Sequence, residues 1–304
     1  MKGIFSEKPA LFQLGMLIYF SFMGLLFSIL VQFIIGKIAG EELSHGGDAF
    51  FYTTQFSHFF SAILIFLLPA LSIAFLCSKE PLSFLCIKKS IDTKAILLSA
   101  AMVVLLFPTV DITSYLNSNI HLPEFMAPIE NWIRETEEYA GKIIDKLLSK
   151  EGIIPFAVNI LVIGVMAGIG EELLFRGVLL SIIRKKIKNP HIAIWIVAFI
   201  FSAIHFQFLG FIPRMILGAF MGYLLYWTNN IWVPVFAHFL NNAMSITGYK
   251  INLYQSTSDS TALITENPTV TEIILIITAA ITGLALFALC ARKIKQIGAL
   301  QEAT

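Results

Sequence analysis

Glu171, Glu172 and Arg176 stand in the stretch GIGEELLFRG, residues 168–177, inside an otherwise apolar run that reads as a membrane-spanning helix over about 153–183. One acidic or basic side chain at the centre of such a helix costs roughly 2.5–3.5 kcal/mol to insert. These groups therefore have to face protein or a water-filled cavity. Glu172 and Arg176 are four residues apart, share a helix face and can pair. Glu171 is turned about 100° away and cannot make the same contact. That division lets Arg176 hold Glu172 ionised and leaves Glu171 free for other work. Gly168 and Gly170, just upstream, allow another helix to approach closely.

Two further apolar runs carry polar groups with the same four-residue spacing: Phe201 and His205 in FSAIHF, and His238 and Asn242 in HFLNN. Taken singly, an intramembrane His or Asn is interhelical glue. Taken together, two glutamates, an arginine, two histidines and an asparagine on separate spans each need an excuse, and a shared cavity supplies one. Helical rise puts Glu171 roughly 18 Å, His205 roughly 21 Å, and His238 and Asn242 roughly 10 and 16 Å from the inner ends of their spans. Those levels overlap in the middle to inner part of the bilayer.

The elements that must position these groups follow from composition. The chain has 304 residues, 57% hydrophobic and 13% charged, with mean hydropathy +0.80. A soluble domain carries about 25% charged residues, so this is an all-α polytopic membrane protein. Eight apolar stretches are long enough to be candidate spans: 11–36, 56–77, 95–116, 153–183, 191–206, 209–228, 231–249 and 270–291. The fifth is short and runs on toward Gln207. A tight turn at Thr228, Asn229 and Asn230 joins the sixth and seventh. The first is too long for a signal-peptide core and reads as a retained span.

Lys2, Lys8, Lys79, Lys88, Lys89, Lys94, Arg184, Lys185, Lys186, Lys188, Arg292, Lys293 and Lys295 all fall on one side if eight spans place both termini in the cytoplasm. The outer segment 117–152 is acidic on balance. Within it, Pro128 opens a pattern (Ile129, Trp132, Ile133, Ala140, Ile143, Ile144, Leu147, Leu148) that predicts an amphipathic helix on the outer surface, a connector more than a lid. Asp111, shortly after Pro108, either touches the cavity or caps a helix broken at the proline, and the cap is the preferred reading. Cys77, Cys86 and Cys290 make no disulfide or metal framework and read as packing. The net charge of +1 says little about partners, and no basic block suggests nucleic acid. Without internal repeats, residues 1–304 form one transmembrane domain.

EELLFR, FSAIH and HFLNN match the ordered patterns E-E-x-x-x-R, F-x-x-x-H and H-x-x-x-N, each on its own span. The chain thereby resembles the CPBP family of intramembrane proteases (CAAX proteases and bacteriocin-processing enzymes, also called Abi), with a catalytic core over 153–249. The first three spans and the last correspond only in number and hydropathy. The resemblance implies an intramembrane endopeptidase with Glu171, His205, His238 and Asn242 catalytic, and Glu172, Arg176 and Phe201 in support.

The residue types suit that chemistry. Peptide hydrolysis needs an activated water and donors for the oxyanion. Glu171 is the expected base, His205 helps hold the water, and His238 and Asn242 donate to the oxyanion. Members of the family have been described both as metalloproteases and as metal-free, glutamate-dependent enzymes. There is no H-E-x-x-H motif; if zinc takes part, Glu171, His205 and His238 are its expected ligands. The metal-free form is preferred, because it gives Asn242 its role. The expected partners are membrane lipid and a protein or peptide cut near its membrane-proximal or C-terminal end, in a bacterial plasma membrane. The competing readings are a proton-coupled transporter, disfavoured by the lack of a two-fold repeat, and a non-catalytic scaffold or immunity protein.

Overall fold

A computed structural model describes residues 2–40, 47–87, 90, 92–254 and 269–302. Lys88 and Lys89, used above for orientation, lie outside the described residues. Among those described there is no strand. The helices are α1 (Ala10–Ala39), α2 (Gly47–Cys77), α3 (Thr93–Ser118), α4 (Ala127–Ser149), α5 (Ile153–Lys186), α6 (Pro190–Ala203), α7 (Phe211–Thr228), α8 (Trp232–Tyr254) and α9 (Val270–Glu302). A single short turn of helix, Pro81–Phe84, links α2 to α3. The result is an all-α polytopic bundle.

Each of the eight apolar stretches falls on a helix. Among the described residues, five of these helices (α1, α2, α3, α5 and α9) have the length and apolarity a crossing requires. α6 differs from expectation. Its 14 residues extend about 21 Å at 1.5 Å per residue, short of a hydrocarbon core of about 30 Å. The chain turns at 204–210 and returns along α7, so α6 and α7 form a packed hairpin. Many large side chains on α1, α2 and α9 are exposed, among them Phe33, Phe75 and Leu289. On a bundle of this composition they meet lipid.

Local chemistry sets the helix ends. Asp92 accepts the Lys94 and Ala95 amides and starts α3. Asn189 does the same for α6, with Pro190 in its first turn. Asn229 adopts φ 46° and closes α7, donating its amide to Leu225 O at 2.7 Å, the tight turn expected there. α3 runs unbroken through Pro108. Asp111 therefore lies within a continuous helix and not at a break; in a packed bundle, neighbouring helices and local adjustments make an internal proline tolerable.

α2 and α5 each contain π-helical turns, at Ala62–Leu67 in α2 and at Ile160–Met166 and Leu173–Leu179 in α5. These shift the register of the faces that follow and are frequent near functional sites. The α-helical turn Ala167–Glu172 lies between the two in α5. Both glycines in it are close contacts, as expected. A Cβ on Gly168 would sit 3.4 Å from the Phe239 nitrogen on α8, and one on Gly170 would sit 3.2 Å from Phe66 Cβ on α2. Buried amides fasten the same region, where Gln55 on α2 donates to Asn159 on α5, and Asn159 donates to Leu147 O at 3.0 Å.

The two ends of the bundle are distinct. At one end, Phe5 N–H donates to Leu76 O, Lys185 Nζ to Gln13 Oε1 at 2.6 Å, and Ile231 N–H to Cys86 O, while Lys295 Nζ lies 5.1 Å from the Trp227 ring centre. Segments near both chain termini thus lie at this same end. At the other end α4 packs on the bundle with Leu147 and Leu148 buried. Its Glu137 accepts the Leu209 amide at 2.8 Å, and Trp132 lies 6.4 Å from Phe208, ring to ring. α4 is the expected amphipathic helix, and it also braces the 204–210 turn.

Candidate active site

α5 carries two carboxylates into different surroundings, as the helical geometry requires. Glu172 and Arg176 have side chains with no exposure at all. Arg176 Nη1 donates to Glu172 Oε1 at 2.7 Å and Nη2 to Gly218 O on α7 at 2.9 Å. Its guanidinium carbon also lies 4.5 Å from the Phe201 ring centre, an arrangement that favours a desolvated cation. Phe201 thereby joins α6 to α5.

Glu171 faces the other way, into a cavity of about 410 Å³. That cavity is lined by Glu171 from α5, Phe201 from α6, His205 from the following turn, and His238 and Asn242 from α8. The four expected catalytic positions therefore surround one space, and the expected supporting pair Glu172–Arg176 lies behind it.

His238 bridges the two carboxylates. Its Nδ1 is 2.7 Å from Glu172 Oε1, and its Nε2 is 3.8 Å from Glu171 Oε2. An ionised carboxylate only accepts, so Nδ1 carries the proton and Nε2 is turned toward Glu171 and the cavity. The 3.8 Å separation is too long for a direct hydrogen bond. His205 is fixed in the same fashion, with Nδ1 donating to Phe201 O at 2.7 Å. Contrary to expectation it lies beyond the end of α6, which stops at Ala203, and not inside a span. Its N–H bonds to Ser202 O, and Phe206 follows with φ 53°. The apolar run FSAIHF carries no breaker, so the turn was hidden from the sequence.

Asn242 donates Nδ2 to Ile163 O, in the first π turn of α5, at 2.9 Å, and its Oδ1 accepts from Asn241 at 3.3 Å. One of its two amide hydrogens is thus engaged with the backbone, and the other remains for the cavity.

The cavity also contains residues that sequence reasoning missed: Ser114 on α3, Asn241 on α8 and, above all, Arg214 on α7. Arg214 donates to Gln207 O at 3.3 Å and Gln207 Oε1 at 2.6 Å, and among the described residues no carboxylate pairs with it within 4 Å. The signal was present, since a cation inside an apolar stretch carries the same cost that drew attention to Arg176.

The expected zinc set does not assemble. Among the described residues no three His, Cys, Asp or Glu side chains are placed to hold one ion. Glu171, His205 and His238 line the cavity without converging on a common point, so the residues present do not fit the metal.

Residues 153–244 match the family model for type II CAAX prenyl endopeptidase Rce1-like proteins. The match bears out the resemblance to CPBP and CAAX proteases, and it covers all three motifs. The chain is also similar to the uncharacterized protein YpbD of Bacillus subtilis (strain 168), 34% identical over 108 residues, which is 34% of this chain and 50% of that protein. The chain thus spans half the length of that relative. No solved structure matches the chain.

Proposed function

We propose that this integral membrane protein, similar over residues 153–244 to a family of proteases, hydrolyses a peptide bond inside the membrane. The observation that carries the reading is the convergence of Glu171, His205 and His238 on one cavity bounded by apolar helices. A water held between Glu171 and the imidazoles gives its proton to the Glu171 carboxylate, and its oxygen attacks the scissile carbonyl carbon. Charge on the carbonyl oxygen is met by the remaining Asn242 amide hydrogen and neighbouring donors. Protonated Glu171 then returns the proton to the departing amine. His238 is held by Glu172, and Glu172 by Arg176, so the pair behind the cavity sets the imidazole's orientation.

The substrate in this reading is a membrane protein or peptide cut near its membrane-proximal or C-terminal end, in a bacterial plasma membrane. The basic residues gathered at the end that holds both terminal segments support a cytoplasmic orientation for that end. The test is cleavage of a membrane-embedded reporter peptide by the purified chain in liposomes. Glu171→Gln and His205→Ala should each lower turnover at least about 100-fold while the protein stays folded and abundant. Full activity in either variant would overturn the assignment.

A further inference from the structure

A second cavity, of about 760 Å³, opens at the end of the bundle that gathers the terminal segments. Buried Arg176, Leu180 and Leu225 line it deep down, and exposed Arg184, Lys185 and Lys188 line it at the surface. No carboxylate is among its lining residues. Basic residues at this end are what the positive-inside bias alone delivers. That bias does not deliver a recess, nor a fully buried arginine at its base. Arg176 spends Nη1 on Glu172 and Nη2 on Gly218 O, yet its buried Nε has no hydrogen-bond partner among the described residues. Arg184 lies 5.6 Å from the Tyr226 ring centre, and no carboxylate is within ion-pair distance of it or of Lys188 among the described residues.

We propose that this recess binds a phosphate-bearing anion, with Arg184 and Lys188 as its principal contacts. Guanidinium and ammonium groups around a polar pocket between helices match a phosphate in charge and donor geometry. An anionic phospholipid headgroup and a free phosphate share that chemistry, and a cytoplasmic pocket between spans is a recurrent lipid-headgroup site. The inference does not depend on the peptidase reading, because neither Arg184 nor Lys188 touches the Glu171 cavity.

The experiment uses the full chain in neutral detergent, with binding read by native mass spectrometry and by thermal stability. Phosphatidylglycerol should bind and raise Tm, phosphatidylcholine should not, and Arg184→Gln with Lys188→Gln should weaken phosphatidylglycerol binding about tenfold or more. Lys79→Gln with Lys94→Gln removes two exposed cations of the same end from outside the recess, and should change binding less than about threefold. Inorganic phosphate that displaces the lipid, or binds without it, assigns the site to a free anion. Lipid binding untouched by phosphate assigns it to the headgroup. Equal loss in both double variants, or no preference over phosphatidylcholine, would overturn the proposal. Both double variants lie at exposed positions, and a lipid-free Tm unchanged from the parent in each verifies the fold.

Discussion

His238 Nδ1 and Glu172 Oε1 lie 2.7 Å apart, across helices whose residues are 66 positions apart in the chain. The same carboxylate oxygen receives Arg176 Nη1, also at 2.7 Å. One buried oxygen therefore ties together two helices and two donors, and the imidazole's other nitrogen is left facing Glu171. The two adjacent glutamates consequently differ in setting, one locked between Arg176 and His238 and the other open to the cavity.

Removing Glu172 should show that difference as stability. Glu172→Ala leaves Arg176 buried without its counter-charge, and breaking a buried pair costs about 3–5 kcal/mol. Glu171→Gln strands no buried cation, so its stability should stay near that of the parent. Thermal unfolding of both variants in the same detergent checks the contrast; equal destabilisation would remove the distinction between the two carboxylates.

This division was legible because it is local. A four-residue spacing fixed the Glu172–Arg176 contact, and a 100° turn separated Glu171 from it. The approach of helices at Gly168 and Gly170 was readable for the same reason, since small residues mark close contacts in lipid. The partner of His238 was not legible, because no spacing within α8 says which face of α5 it meets. The early end of α6 escaped because an apolar run looks the same in lipid whether it is helix or turn. Pro108 misled in the opposite direction, since a breaker's usual effect is offset by packing in the bundle.

Outside the membrane, Glu130 organises the approach to α4. Its carboxylate accepts the Leu122 amide at 2.8 Å and Arg134 Nε at 2.9 Å, and His121 Nδ1 lies 2.9 Å away. The Leu122 hydrogen bond, then those of Arg134 and His121, pull its pKa from 4.5 to about 2. A depressed carboxylate pKa means the stabilisation is fully present above the ordinary value of 4.5 and fades as pH falls through about 2. Hydrogen-exchange protection of the Leu122 amide, referred to Glu130→Gln, should hold at pH 6 and shrink toward that of the variant between about pH 4.5 and 2. An amide equally protected in both proteins at pH 6 would show that the carboxylate does not hold the turn.

Chelation should leave cleavage intact. His238 Nδ1 and His205 Nδ1 are taken by Glu172 and by the Phe201 carbonyl, and the remaining nitrogens do not meet Glu171 at a common point. Cleavage of the reporter after exhaustive dialysis against a chelator, with metal content measured on the same sample, should stay within about twofold of the untreated protein, whereas loss of an essential metal ligand's function costs tenfold or more. Activity that disappears on chelation and returns with zinc would reinstate the three-ligand set through a rearranged cavity.

Arg214 is the cation that the cavity itself presents. Gln207 holds its guanidinium through a backbone and a side-chain oxygen, and a guanidinium has donors left over after two such bonds. Gly210 lets it sit close, since a Cβ there would lie 3.1 Å from Arg214 Nη2. Asn242 has one amide hydrogen committed to Ile163 O, so positive charge from α7 is the stronger means of steadying an oxyanion in this space. Loss of such a donor lowers turnover about 100-fold or more. Arg214→Gln should therefore depress kcat by that order with little change in KM, and Arg214→Lys should recover part of it by restoring charge without the fork. A kcat unchanged in Arg214→Gln, with the fold intact by thermal unfolding, would leave the oxyanion to Asn242.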